Sequence, residues 1–428
     1  MNIKHISAVQ ILDSRGVPTL RVNIVSDSGK TATFSVPSGQ SRGKDEAVEK
    51  RDGGETYGGM GVTNCIKVIT EVLAHKFTGY PLAQQEDFDS LLIALDGTPN
   101  KQNLGSNTIL GLSAAYLKLS AAEQNKPVWQ YIAEVDGTSP EFPRLFATIF
   151  GGGKHAPGVS IEEFMAVPQT NQPLQAVAQI DEVYHTAQTI MQNLYGPSAL
   201  LSSDDGGLAP VGANIEVMLE AMSQLATKQA QKFDVAIDAA ANSFFADQTY
   251  QVEAQKLHAS DLNKLYQDWH KKFGLYAIED PFAESDLEGL EIIKGMPKDN
   301  KEFLIIADDY TVSNGKKIEE LNKDKIFDAI VIKPSQIGSI SETFAAIKAA
   351  RSTSAKVIIS QRLGETNDDL IVDLAYGIGA MGLKIGAPVR GERVAKYNRL
   401  LEIEAGLEDR QATNPAQATN VAAPTLSL

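Results

Sequence analysis

Cysteine is nearly absent: of 428 residues only Cys65 is one, so no internal disulfide can form. That fits a reducing compartment. Basic charge is also scarce, with 39 Lys plus Arg against 54 Asp plus Glu, a net charge of −15. Such a chain is a poor general binder of nucleic acid or of an anionic membrane. A small anionic substrate is not excluded, because a local cationic pocket can sit in an acidic protein. No run of 18 apolar residues occurs, so no membrane-spanning helix is expected. The start, Met1-Asn2-Ile3-Lys4-His5-Ile6, lacks a charged stretch before an apolar run, so no signal peptide is expected. With 43% hydrophobic residues there is enough apolar surface to offset chain entropy. A soluble cytoplasmic protein is the class these absences leave.

Two rhythms divide the chain. Residues 1–135 open with alternating runs, Ile6–Val9 and Leu20–Val25, parted by the turn Asp27-Ser28-Gly29. They read as a hairpin or meander. A helix follows, with Ile109, Leu110, Leu112, Ala115, Tyr116 and Leu119 near a 3.6-residue period. The turn-rich Asp136-Gly137-Thr138-Ser139-Pro140 sets the expected boundary. From 136 to 428, short β-branched runs alternate with helical patterns. The runs are 234–237, 275–278, 303–307, 329–332, 356–359 and 382–383, and Ser339 with Glu342 makes a capping box. Parallel βα units follow from this alternation, and 293 residues suit an eight-stranded barrel. The alternative, an open doubly wound sheet, lacks its glycine fingerprint. Trp269 and Phe273 read as core packing, and the Gln-Ala-Thr-Asn repeats at 411–414 and 417–420 as a frayed tail.

A charged residue follows each run: Asp238, Glu279, Asp308, Lys333, Arg362 and Lys384, spaced 41, 29, 25, 29 and 22 residues apart. One such residue is ordinarily a helix cap or a solvated loop. Six in succession, one per repeat, would converge on one rim of a parallel barrel. Three carboxylates without histidine or cysteine suit a hard cation such as Mg²⁺. Two lysines and an arginine suit an anionic substrate and a proton-abstracting base, since burial and neighbouring cations lower a lysine pKa.

Several segments carry a resemblance. Asp13-Ser14-Arg15-Gly16, Val36-Pro37-Ser38-Gly39, Leu95-Asp96-Gly97-Thr98 and Ile278-Glu279-Asp280-Pro281-Phe282-Ala283-Glu284 resemble enolases. So do Gln336-Ile337-Gly338, Gly364-Glu365-Thr366, Lys384-Ile385-Gly386-Ala387-Pro388 and Glu392-Arg393, in order from about residue 6 to 407. The resemblance implies an α/β protein: a modified (β/α)8 TIM-type barrel, 136–428, preceded by an α+β N-terminal capping domain, 1–135. It implies dehydration of 2-phospho-D-glycerate to phosphoenolpyruvate, a glycolytic hydro-lyase reaction, with two Mg²⁺ sites and a homodimer or an octamer of dimers. By resemblance Asp238, Glu279 and Asp308 hold the tighter Mg²⁺, and Ser41, on a mobile loop between Gly39 and Gly43, the second. Lys333 is the base at C2, Lys384 meets the substrate carboxylate and Arg362 the phosphate. His155 is an active-site histidine, and Glu163 belongs to the acid machinery.

The chain also departs from the family pattern. Ser203-Asp204-Asp205-Gly206-Gly207 stands for Gly-Asp-Glu-Gly-Gly, so the general-acid position is Asp205, roughly 1.5 Å shorter in reach. Glu162 replaces a glutamine at the substrate site. Gln361 and Leu363 flank Arg362 in place of histidine and serine, and Leu363 donates no hydrogen bond to phosphate. Pro334-Ser335 replaces Val-Asn. Three readings follow: an enolase; a relative that makes an enediolate from another carboxylic acid; or a non-catalytic protein that binds partners, such as host proteins at a cell surface reached without a signal peptide.

Overall fold

A computed structural model of the chain describes residues 1–39, 43, 45–156, 158–228, 232–295 and 303–406. Ser41 and the 411–420 repeats lie outside the described residues, as do the side chains of His155 and Lys228.

The N-terminal runs form the expected antiparallel meander: β1 (Ile3–Leu12), β2 (Pro18–Ser26) and β3 (Thr31–Ser35), with Ala8 opposite Val22 and Val22 opposite Phe34. The helix Ser106–Glu123 packs on β2 and β3 and is buried along almost its whole length. Gly111 permits that closeness, because a Cβ there would stand 2.7 Å from Val22 Cγ2. Each buried Val22, Ile24 or Leu110 contributes roughly 1.5–3 kcal/mol of hydrophobic stabilisation. The helix Val128–Asp136 ends on Gly137 in the left-handed region, and the first barrel strand begins at Arg144.

Eight strands close the barrel in the order β4 (Arg144–Gly151), β5 (Glu163–Pro168), β6 (Phe233–Asp238), β10 (Leu275–Glu279), β11 (Leu304–Ala307), β12 (Ala329–Ile332), β13 (Lys356–Ser360) and β14 (Gly382–Lys384). A small hairpin sheet, β7 (Phe245–Ala246), β8 (Thr249–Val252) and β9 (Gln255–Leu257), follows β6. Interior side chains such as Phe146, Met165, Ile306, Val331 and Ile358 fill the barrel, so it is a packed core and not a pore.

The barrel is a modified (β/α)8, and the modification lies at β5, which runs antiparallel to both β4 and β6. The connection 152–162 holds only the 3-10 turn Gly153–His155 and no crossover helix, which a parallel return requires. Two helices, Pro173–Tyr195 and Ile215–Lys228, then follow β5 in succession. The remaining repeats alternate strand and helix as the sequence indicates. Leu262, Tyr266, Trp269 and Phe273 form the buried face of the helix Ala259–Phe273. Ser339 caps Ile340–Ser352, its Oγ accepting from the Glu342 amide. Cys65 is buried and unbridged.

Candidate active site

The strand ends deliver the charged residues to one rim. Asp238, Glu279 and Lys384 are the last residues of β6, β10 and β14. Asp308 and Lys333 are the first after β11 and β12, and Arg362 is the second after β13. Because β5 is reversed, its first residue, Glu163, pairs with Asp238 and joins the same rim.

The rim opens into a cavity of about 350 Å³. Its wall includes Glu162, Glu163, Asp238, Asp308, Lys333, Arg362, Leu363 and Lys384, so eight of the twelve sequence-derived residues share one space. Glu279 lies fully buried beneath Lys384. Asp205 is not on the wall; it sits behind Glu163, with which it shares a hydrogen bond. The Lys154 side chain, next to His155, does line the cavity.

Lys384 is the centre of one ionic group. Its Nζ stands 2.7 Å from Glu279 Oε2 and 3.0 Å from both Asp238 Oδ2 and Glu163 Oε2. Burial opposes its charge, but Asp238, Glu163 and Glu279 hold its pKa well above the ordinary lysine value. Burial, reinforced by Asp238, raises the Glu279 carboxyl strongly against the lowering by Lys384. Burial likewise raises the Glu163 pKa; Lys384 opposes this and Asp205 adds to it. The Glu163 carboxyl thus holds a proton more tightly than an ordinary glutamate and faces the cavity.

A second group surrounds Lys333, whose Nζ pairs with Asp308 Oδ2. The Gln336 amide donates to Asp308 Oδ1 at 3.0 Å and accepts from Ser313 Oγ at 2.5 Å, while that same Oγ accepts from the Lys333 backbone amide at 2.8 Å. With no metal ion beside it, burial pushes the Lys333 pKa down, but the Asp308 carboxylate more than offsets that and raises it.

Arg362 carries the third group. Its Nη2 meets Glu46 Oε2 at 2.9 Å, and its buried Nη1 has no partner among the described residues. Gly39 makes room for it: a Cβ there would fall 1.7 Å from Arg362 Nη2. A buried guanidinium nitrogen without a partner, in a cavity wall, is a ready donor to an anionic ligand.

The donor chemistry fits a divalent cation. Eight carboxylates and four basic side chains line the cavity, so an anion would meet net negative charge unless a cation offsets it. Glu279 Oε1 is buried without a hydrogen-bond partner among the described residues. All these donors are carboxylate oxygens, which suit Mg²⁺. The three oxygens expected to act together do not close into one tight group, because Lys384 and Lys333 bond them. Among the described residues, the three acids with oxygens within 4.8 Å of one another are Asp280, Asp308 and Asp309. Both Asp280 oxygens already accept from the amides of Asp308 and Asp309, at 2.9 and 2.8 Å, so Asp280 holds the Asp308 turn in place.

The family models decide the kinship. Residues 3–132 match the enolase N-terminal domain, and residues 141–421 match the enolase C-terminal TIM barrel domain. This chain belongs to the enolase family. It is 38% identical to an enolase of Elusimicrobium minutum over 95% of this chain and 96% of the relative. It is 37% identical to an enolase of Methanothrix thermoacetophila, with the same coverage. Enolase 3 of Lactobacillus johnsonii is 36% identical over 95% of each chain. Membership implies enolase-type lyase chemistry, for which the family generally uses Mg²⁺. Among the described residues, no helix is long and apolar enough to cross a membrane.

Among the wall residues that sequence reasoning gave no role are Glu46, Asn242, Glu284 and Asp309. Asp309 had a signal, since it doubles Asp308. Asn242 bridges two loops, donating to Asp309 Oδ2 and accepting from the Glu284 amide, both at 2.9 Å. Burial, with Asp308 alongside, pushes the Asp309 pKa up to about 7.

Proposed function

We propose that the chain catalyses the Mg²⁺-dependent, reversible dehydration of 2-phospho-D-glycerate to phosphoenolpyruvate. The observation that carries this reading is the presence of Lys333 and Glu163, a carboxyl with a raised pKa, on the wall of one cavity. The reaction needs a base at C2 and an acid at the departing C3 hydroxyl. Asp238, Glu279 and Asp308 are the residues that would hold Mg²⁺. Mg²⁺, when bound, supplies positive charge against the second negative charge that C2 proton loss builds on the substrate carboxylate. Lys384 supports the same carboxylate from its position among Asp238, Glu163 and Glu279. Arg362 Nη1 receives the phosphate. Lys333 accepts the C2 proton as a neutral amine, so its ammonium must first lose a proton and leave its pairing with Asp308. Glu163, hydrogen-bonded from behind by Asp205, gives its proton to the leaving hydroxide, which departs as water.

One observation favours a second reading. Leu363 lines the cavity beside Arg362, where its side chain donates no hydrogen bond to an anion. A site with a weaker phosphate grip suits the same proton abstraction from a different carboxylic acid. One assay separates the readings: the protein with Mg²⁺ and 2-phosphoglycerate, followed by the ultraviolet absorbance of phosphoenolpyruvate. Turnover supports the first reading. No turnover, with exchange of an α-proton in another acid, supports the second.

A further inference from the structure

Arg393 is wholly buried near the start of the helix Gly391–Glu404, yet four carbonyl-type oxygens converge on it. Its Nη1 donates to Gln361 Oε1 at 2.7 Å and to the Arg362 carbonyl at 2.9 Å. Its Nη2 donates to the Leu363 carbonyl at 2.8 Å and the Asp204 carbonyl at 3.4 Å. Its nearest carboxylate oxygen, Glu392 Oε1, is 3.7 Å away at Nε. The acceptors belong to two loops: one bears Arg362, the other Asp205. Three residues on, on the same helix face, Lys396 donates to Glu365 Oε2 at 2.7 Å, and Glu365 Oε1 accepts from the Arg362 amide at 2.9 Å. A planar fork with fixed donors sets direction as well as distance, which an ammonium cannot do.

We infer that Arg393 is a positioning residue that fixes the Arg362 loop and the Asp205 loop relative to each other, and so sets the grip on the anionic end of the substrate. The inference rests on the reading that Arg362 receives that end. It touches no cavity residue's charge directly; it acts through the backbone that carries them. Removing the fork therefore loosens substrate binding while leaving the metal-binding strands alone.

The test is a double-mutant cycle of Arg393→Lys and Arg362→Gln in the whole protein. It reads KM and kcat for 2-phosphoglycerate, Mg²⁺ affinity by calorimetry and the melting temperature. Arg393→Lys should raise KM about tenfold, lower kcat less, and leave Mg²⁺ affinity unchanged. In the Arg362→Gln background the same change should alter KM by less than about threefold, because the group it positions is gone. An unchanged KM, or effects that multiply independently, would overturn the inference. An unchanged KM in Arg362→Gln would instead overturn the reading beneath it. Should Arg393→Lys not fold, Gln361→Ala removes one acceptor of the fork and enters the same cycle. Should the parent not turn over 2-phosphoglycerate, the affinity for inorganic phosphate with Mg²⁺ replaces KM and decides in the same way.

Discussion

Glu46 and Arg362 are joined by a 2.9 Å ion pair in which each side chain is only 5% exposed. The pair links the N-terminal region to the barrel mouth across 316 positions of sequence. Breaking a buried pair by removing one charge leaves the other uncompensated, at a cost of about 3 kcal/mol. Glu46→Gln should accordingly lower the melting temperature. An anion that meets Arg362 would return part of the loss, so 2-phosphoglycerate with Mg²⁺ should raise the melting temperature more in the variant than in the parent. Equal ligand shifts in both would mean that the substrate does not meet Arg362.

Metal binding is tested at Asp308. Calorimetry with Mg²⁺ should show binding in the parent that largely disappears in Asp308→Ala. Loss of Asp308 also frees Lys333, so the variant's heat should not be recovered by raising pH. Binding as strong as the parent's would remove Asp308 from the ligand set.

Asp309 gives a pH dependence in metal-free buffer. Its pKa is pushed up to about 7, against about 4 for an unfolded aspartate. Between those values the folded state binds more protons than the unfolded state, so stability falls as pH rises from about 4 to about 7. Chemical denaturation in EDTA should show that decline, and Asp309→Asn should flatten it. A variant with the parent's slope would assign the decline to another group.

Lys333 is separable from a simple anion anchor. Lys333→Ala should abolish exchange of the substrate C2 proton with solvent deuterium, followed by NMR, while 2-phosphoglycerate still binds. Exchange at the parent rate would make another residue the base, with Lys384 next in line.

Much of the rim was legible because each of Asp238, Glu279, Asp308, Lys333, Arg362 and Lys384 follows an apolar run, and a run of that length has one exit. The direction of β5 was not legible. Glu163–Pro168 is buried at every position, so it carries neither alternation nor polarity to show which way it runs. Glu46 was missed because it reaches the site by tertiary contact alone. The pairing of Lys333 with Asp308 was not legible, because it depends on how close β11 and β12 bring the two side chains. Asp205 was read as the general-acid position; its place behind Glu163 follows from the packing of the 203–207 turn against Gly151.

The reversal of β5 also changes how the site tolerates insertion. In the parallel strands, a charged side chain at the rim inherits any slip in the strand beneath it. Glu163 instead opens its strand, and its level is fixed sideways by Asp238 and Gly151. Residues added between Gln169 and Pro173, past the far end of β5, would lengthen the underside of the barrel without moving the acid. Residues added in 152–162 would reshape the entrance while the carbonyl ladder on both sides keeps Glu163 at the same height. The acid half of the mouth can thus be remodelled by loop length alone, independently of the strands that carry Lys333 and the carboxylates opposite.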